Sequence, residues 1–197
     1  MPSRALPALS VRASAALALA ASLLSTACSE APSKPSPANA QAGASAPAAP
    51  TALPAGAVVT AAAASFPEAA ALADVRASAK VGDRVIFRGV VGGREEPFVK
   101  ERAIVLVADP RLKACNARGD DHCRTPWDFC CEDPDELRMK TATIQVVDAS
   151  GRPLRVGLDG APGLSPLAQV VVEGTVAERD DAGTFVVNAT RITIRGG

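Results

Sequence analysis

From Ser65 onward the hydrophobic pattern changes period once, and the change predicts a helix followed by strands. Ser65-Phe66-Pro67-Glu68 has the form of a capping box, with Ser65 at the N-cap, Pro67 in the first turn and Glu68 at N3. Leu72, Val75 and Ala79 follow at helical spacing, so a short helix is predicted from about Phe66 to Ala79. The period then becomes two. Val81 to Val91 reads as a long first strand, with Gly92-Gly93 as a turn. Ala103 to Ala108 is a short strand of the buried type. Ala142, Ile144 and Val146 alternate with Thr143, Gln145 and Val147. Asp148-Ala149-Ser150-Gly151 is a turn, and Leu154, Val156 and Leu158 alternate after it, which predicts a hairpin. Val170, Val172, Gly174 and Val176 give another strand. Asp180-Asp181-Ala182-Gly183 turns the chain into a last strand, Phe185 to Ile194, whose phase slips between Ala189 and Ile192 as at a bulge.

About six short strands with turns between them predict an all-β fold, a small barrel or sandwich with a short N-terminal helix. Gly89, near the middle of the long first strand, would relieve the bend of a strand that coils around both halves of a barrel. Val172-Glu173-Gly174-Thr175-Val176 followed by Phe185-Val186-Val187-Asn188-Ala189 resembles the final hairpin of OB-fold domains, and Val81-Gly82-Asp83 with Gly89 resembles their first strand. The resemblance covers roughly Lys80 to Ile194 and implies an OB-like barrel. Gly163 to Leu167 leaves barely a turn for the helix such domains carry before the fourth strand.

The N-terminal third has a different character. Arg4 and Arg12 precede an apolar run from Ala13 to Leu24, too short to cross a hydrocarbon core of about 30 Å as a helix. With Leu24-Ser25-Thr26-Ala27-Cys28 it reads as an export signal. It resembles a bacterial lipoprotein signal, which implies cleavage before Cys28 and lipidation of that residue. Ser25 stands where such signals usually have Leu; plain secretion with Cys28 at the new N-terminus is the alternative. From Ser29 to about Ala64 the chain is Ala, Pro, Ser and Gly with almost no charge, the composition of a disordered tether. The expected organisation is therefore a signal over 1–27, a tether over 28–64, and a barrel domain over 65–197.

The cysteine count fits this reading. Five Cys is odd, and an exported chain seldom leaves one thiol over. If Cys28 carries the lipid, then Cys115, Cys123, Cys130 and Cys131 remain, all inside an insertion over 109–140 that interrupts the strand alternation. Two disulfides are expected in an oxidising compartment. Adjacent Cys130 and Cys131 seldom bridge each other, so each would pair with Cys115 or Cys123, in either of two connectivities. A metal site is the second reading: Cys115, His122, Cys123 and Cys130 or Cys131 supply soft ligands for zinc or Cu(I), without the Cys-x-x-Cys of a zinc knuckle. A redox role is the third, without a thioredoxin-like motif to support it.

Trp127 and Phe129 also lie in the insertion. They are read chiefly as cover for the cysteines, with an exposed stacking pair as the alternative; together with His122 they form the candidate binding surface. Asp133 as N-cap, Pro134 at N1 and Glu136 at N3 describe the start of a short helix rather than a Ca²⁺ cluster. Thr125-Pro126-Trp127-Asp128-Phe129-Cys130-Cys131 resembles a segment of a little-characterised family of envelope lipoproteins with an OB-like domain. That resemblance implies no activity.

Charge and missing motifs narrow the function. Lys+Arg and Asp+Glu are both 21, and loss of Arg4 and Arg12 leaves 21 − 2 = 19 basic residues against 21 acidic, which argues against a general nucleic-acid binder. The outward residues Thr143, Gln145 and Val147 can neither stack on bases nor neutralise phosphate. His122 is the single His, and no Gly-x-Ser-x-Gly elbow or phosphate-cradling glycine loop accompanies it. The expectation is a lipid-anchored, non-enzymatic binding or structural module of the cell envelope, with no cofactor and no small-molecule substrate identified. It faces the periplasm or the cell exterior, with an envelope protein or a glycan as partner. A metal-binding or redox protein is the first alternative, and a nucleic-acid-binding OB-fold protein, resting on fold analogy, the second.

Overall fold

Six strands carry the fold in the computed structural model, which describes residues 52–119 and 123–196. The expected signal, Cys28, most of the expected tether and His122 lie outside the described residues. The strands are β1 (Val58–Ala61), β2 (Arg84–Val91), β3 (Ile104–Ala108), β4 (Thr141–Gln145), β5 (Gln169–Arg179) and β6 (Phe185–Arg195). Two short helices accompany them, α1 (Leu72–Ser78) and α2 (Pro134–Met139). No helix among the described residues is long and apolar enough to cross a membrane.

The sheet closes on itself. β2 pairs antiparallel with β3, β3 with β4, β4 runs parallel to β6, β6 pairs antiparallel with β5, and β5 returns to β2. Five strands therefore form a closed barrel, and β1 adds a sixth strand parallel to β6. The chain is the small all-β barrel that its period-two pattern predicts. Closure leaves fewer exposed sheet edges to template aggregation.

The inward residues are those the alternation selects. Phe87, Val105, Val107, Ile144, Val170, Val172, Val187, Ile192 and Ile194 are all buried in one cluster. β2 serves both halves of the barrel, meeting β5 from Arg84 to Val90 and β3 at Val90 and Val91. Gly89 sits at this changeover. A Cβ there would overlap the Val107 Cγ1 and lie 2.9 Å from the Ala108 carbonyl oxygen, so the coil of β2 requires a residue without one. The phase slip foreseen in β6 is present: Arg191 pairs with Glu173 and Ala189 with Gly174, leaving Thr190 as the extra residue. Its hydroxyl donates to the Glu173 carbonyl at 3.2 Å.

Three expectations fail locally. The helix begins at Leu72, not Phe66. Ser65 closes a 3₁₀ turn and its hydroxyl donates to Ala62, so the capping box does not form. Ala71 makes a parallel bridge to Arg88 instead, and the N–H of Ala73 is satisfied by Asp109, 36 positions away in the chain, at 2.7 Å. Long-range pairing has displaced the local cap. The hairpin strand over Leu154–Leu158 reduces to one bridge, Val147 with Pro153. Pro153 has no N–H to continue a ladder, although Leu154 and Leu158 are buried in the core as the alternation foresaw. Finally, the tether does not extend to Ala64. Val58–Ala61 is a strand, and Ala57 beside it is buried. Four residues are too short a run to show a period; the exposed edge of β6 recruits them.

Candidate functional site

The insertion leaves the barrel and returns at one point, where the Asp109 N–H donates to the Lys140 carbonyl at 2.8 Å. β3 ends at Ala108 and β4 begins at Thr141, so the barrel is complete without the insertion's backbone. Asp109, fully buried, anchors the neck. Its carboxylate accepts from the N–H of Ala73 at 2.7 Å, from the N–H of Arg111 at 2.9 Å, and from Arg111 Nε and Nη2 at 2.9 and 3.1 Å. Burial alone would raise its pKa, but the guanidinium and the two backbone N–H groups hold it below the ordinary carboxylate value.

Arg76 makes a second fastening. It is buried and donates to the carbonyls of Thr141 (2.8 Å), Arg138 (3.3 Å) and Thr184 (3.4 Å), with its guanidinium 5.4 Å from the centre of the Phe185 ring. Burial and then the Arg179 charge lower its pKa, against the pull of Asp180. Neither anchor was singled out from sequence. Arg76 stands four residues after Leu72 on the buried helix face, which is the signal that could have found it. Asp109-Pro110 at the end of an apolar strand could have been read as a turn with a committed carboxylate.

Within the insertion, Pro126–Asp128 forms a 3₁₀ turn and Phe129 follows in the left-handed region at φ 58°. This reverses the chain and brings Cys130 and Cys131 back to Cys115. Asp128 fixes the reversal, accepting from the Thr125 hydroxyl at 2.7 Å and the Cys130 N–H at 2.9 Å. Burial works upward on its pKa, and the Thr125 and Cys130 donors hold it below the usual range. Phe129 is not an exposed stacking residue: it is buried with Ala108 and Leu112 in a satellite core that also touches Leu137. Trp127 is half-buried, and its indole N–H donates to the Glu95 carbonyl at 2.9 Å while its own carbonyl accepts from the Gly93 N–H at 2.8 Å. At Gly92 a Cβ would come within 2.8 Å of the Phe129 ring, so this turn is glycine because the insertion folds down onto it. Of the candidate surface of Trp127, Phe129 and His122, Phe129 is committed to packing, Trp127 is half-buried with its indole N–H bonded to Glu95, and His122 is outside the described residues. The Asp133 helix start forms as expected: its carboxylate accepts from the N–H groups of Asp135 and Glu136 at 3.0 and 2.9 Å.

The four cysteines converge. Sγ of Cys123 lies 3.1 Å from Sγ of Cys130, Cys130 lies 3.5 Å from Cys115, and Cys115 lies 3.8 Å from Cys131. All four sulfurs fall within 4.8 Å of one another. The two disulfides expected from sequence are not present as bonds, since an S–S bond is about 2.05 Å. The sulfurs form one group, in which the Cys123–Cys130 and Cys115–Cys131 contacts are joined by the 3.5 Å contact of Cys130 with Cys115.

Compared with protein-family models, with curated proteins and with solved structures, the chain has no match.

Charge around the sulfurs is uneven. Cys115 is buried, which raises its pKa, but the Cys131 N–H and the neighbouring thiols outweigh this and bring it below the ordinary thiol value. At Cys130, contact with Cys123 works downward, yet Cys115, Asp128 and burial push the thiol up to about 12. The guanidinium of Arg118 stands beside the cluster. It pairs with Glu132 at 2.8 Å, and Glu132 first, then thiolate charge at Cys131 and Cys115, raise its pKa. Its Nε is buried and has no hydrogen-bond partner among the described residues. Glu132 also accepts from the Lys113 N–H at 2.8 Å, closing the segment before Cys115 onto the segment after Cys131.

A separate cleft of about 450 Å³ lies where α2 meets the outer face of β4 and the turn before β6. Arg94 and Arg138 line it with Leu106, Thr143 and Phe185. On β4, Ala142 and Ile144 point inward and Thr143 and Gln145 outward, as foreseen. Gln145 is engaged with Asn188 at 2.7 Å.

Proposed function

We propose that this chain is an exported, lipid-anchored, non-enzymatic binding or structural module of the cell envelope, built on an OB-like barrel. Its partner is another envelope protein or a glycan. Two features support the reading from different ends of the chain. The leader with its apolar run ends in Ala27-Cys28, as a lipoprotein signal does. The barrel order β2-β3-β4-β6-β5, closed onto β2 with β4 and β6 parallel, suits an OB-like family of binding domains.

The observation that carries the binding assignment is the 450 Å³ cleft over β3, β4 and β6. Two guanidinium groups and a threonine hydroxyl surround apolar side chains there, a lining suited to hydroxyl- or carboxylate-bearing surfaces. The face offers no row of aromatic platforms, so nucleic acid is the weaker ligand class.

Two measurements test the reading. Cys28→Ser should release the protein from membranes in soluble form; continued sedimentation with membranes would sink the anchor assignment. A photo-crosslinking residue at Arg94 should capture an envelope component that one at Ile86, exposed on β2 outside the cleft, does not. Equal capture at both positions, or none at Arg94, would remove the cleft from the argument. A second reading, metal binding by the insertion, is favoured by the sulfur cluster and is independent of the cleft.

A further inference from the structure

We infer that Cys115, Cys123, Cys130 and Cys131 hold a single Zn²⁺ ion as four thiolates in the exported protein. The sulfur geometry carries this. Zn–S bonds of about 2.3 Å in a tetrahedron place neighbouring sulfurs about 3.8 Å apart. The contacts here are 3.1, 3.5 and 3.8 Å, with every sulfur within 4.8 Å of the others. Two disulfides would instead require each sulfur to have one close partner. The contacts run as a chain, Cys123–Cys130–Cys115–Cys131: Cys123–Cys130 and Cys115–Cys131 are the pairs two disulfides would use, and the 3.5 Å contact of Cys130 with Cys115 joins them into one group. Four sulfurs within 4.8 Å of one another are a soft-donor set that a tetrahedral ion could gather, which suits Zn²⁺ better than the oxygen-seeking Ca²⁺ or Mg²⁺.

The surroundings pull both ways on the charge such a site would carry. Four thiolates and one Zn²⁺ leave a net charge of −2. Arg118, paired with Glu132 at 2.8 Å, is a cation whose field reaches Cys131 and Cys115, and its Nε is a buried donor without a partner among the described residues. Donors of this kind orient thiolate ligands and spread their charge. Asp128 opposes them, with Oδ1 3.9 Å from the Cys115 sulfur; its negative charge is partly met by the Thr125 hydroxyl and the Cys130 N–H. The insertion has its own small apolar core, in which Phe129, Leu112 and Ala108 are buried. Zinc would tie both ends of the loop to that core and replace the cross-links it lacks.

The test begins with the Cys28→Ser chain recovered from the soluble exported fraction, without a metal-affinity step. One equivalent of zinc and four thiols, titratable in denaturant with a chelator, are expected. Two disulfides found by non-reducing peptide mapping, with no zinc, would overturn the proposal. Coordination is then read by replacing zinc with Co²⁺. A one-equivalent endpoint with the ligand-field bands of a tetrahedral thiolate site is expected, and an octahedral, weakly absorbing spectrum would refute it. Because a Cys→Ser variant could unfold the insertion, Arg118→Ala provides a milder probe. It should weaken zinc affinity by about tenfold while the four-thiolate Co²⁺ spectrum and the near-ultraviolet dichroism of the barrel remain. Unchanged affinity in that variant would remove Arg118 from the site and count against the charge argument.

Discussion

Replacing Asp109 should separate the neck of the insertion from α1 and cost the domain a measurable share of its stability. The carboxylate is fully buried and accepts four hydrogen bonds, two of them backbone N–H and two from Arg111. Asp109→Ala removes the cap on Ala73, worth about 1 kcal/mol. It also strands a second N–H and half of an ion pair whose other member, Arg111, is half-exposed and can turn to solvent. Charge-assisted bonds of this type contribute about 1.5–3 kcal/mol, discounted here because Arg111 reaches water. The sum is about 3 kcal/mol, or a fall in Tm of roughly 10 °C for a domain of this size. Asp109→Asn retains one acceptor and loses the charge, so it should cost about 2 kcal/mol.

The pH dependence provides the sharper check. The folded carboxyl lies below its ordinary value, which is about 3.9 in the unfolded chain. Its charge-dependent contribution is therefore present above about pH 4 and is lost as pH falls through the folded pKa. Urea melts of the wild type and Asp109→Asn at neutral pH and in steps toward pH 2 should show the gap closing only at the acidic end. A gap below about 0.5 kcal/mol at neutral pH, or one that persists undiminished in acid, would refute the assignment of Asp109 as the charged anchor.

Three further outcomes follow from the packing. Gly89→Val should destabilise the barrel by about 2–3 kcal/mol, because the new side chain overlaps Val107; a denaturant midpoint equal to wild type would show that β2 can shift there. Arg76→Met should cost about 3 kcal/mol, since it leaves the Thr141, Arg138 and Thr184 carbonyls without their shared donor; a thermal melt within 2 °C of wild type would show those groups are resolvated. Asp133→Ala should lower protection of α2 amides by about 1 kcal/mol in hydrogen exchange without moving the global melt; loss of barrel protection in the same experiment would contradict the separation of insertion from barrel.

The sequence alone determined what depends on near neighbours. A period of two selected the residues that fill the barrel, including Leu154 and Leu158 where no regular strand forms, because burial of alternate side chains needs only the local pleat. The bulge at Thr190 and the Asp133 cap were likewise legible, since each is set within a few residues. The tertiary structure decided what depends on distant partners. Ser65 lost its role as a cap once Ala71 bridged to Arg88 and Asp109 reached Ala73. Val58–Ala61 became a strand only because β6 offered an edge. The cysteines were recognisable as a set from their number and their place in one insertion, and the sequence reading put two disulfides ahead of a shared metal site. A left-handed turn at Phe129, fixed by Asp128 and by the buried phenyl ring, brings Cys130 and Cys131 back to Cys115. That reversal is a property of the folded chain, and it places four sulfurs within 4.8 Å of one another.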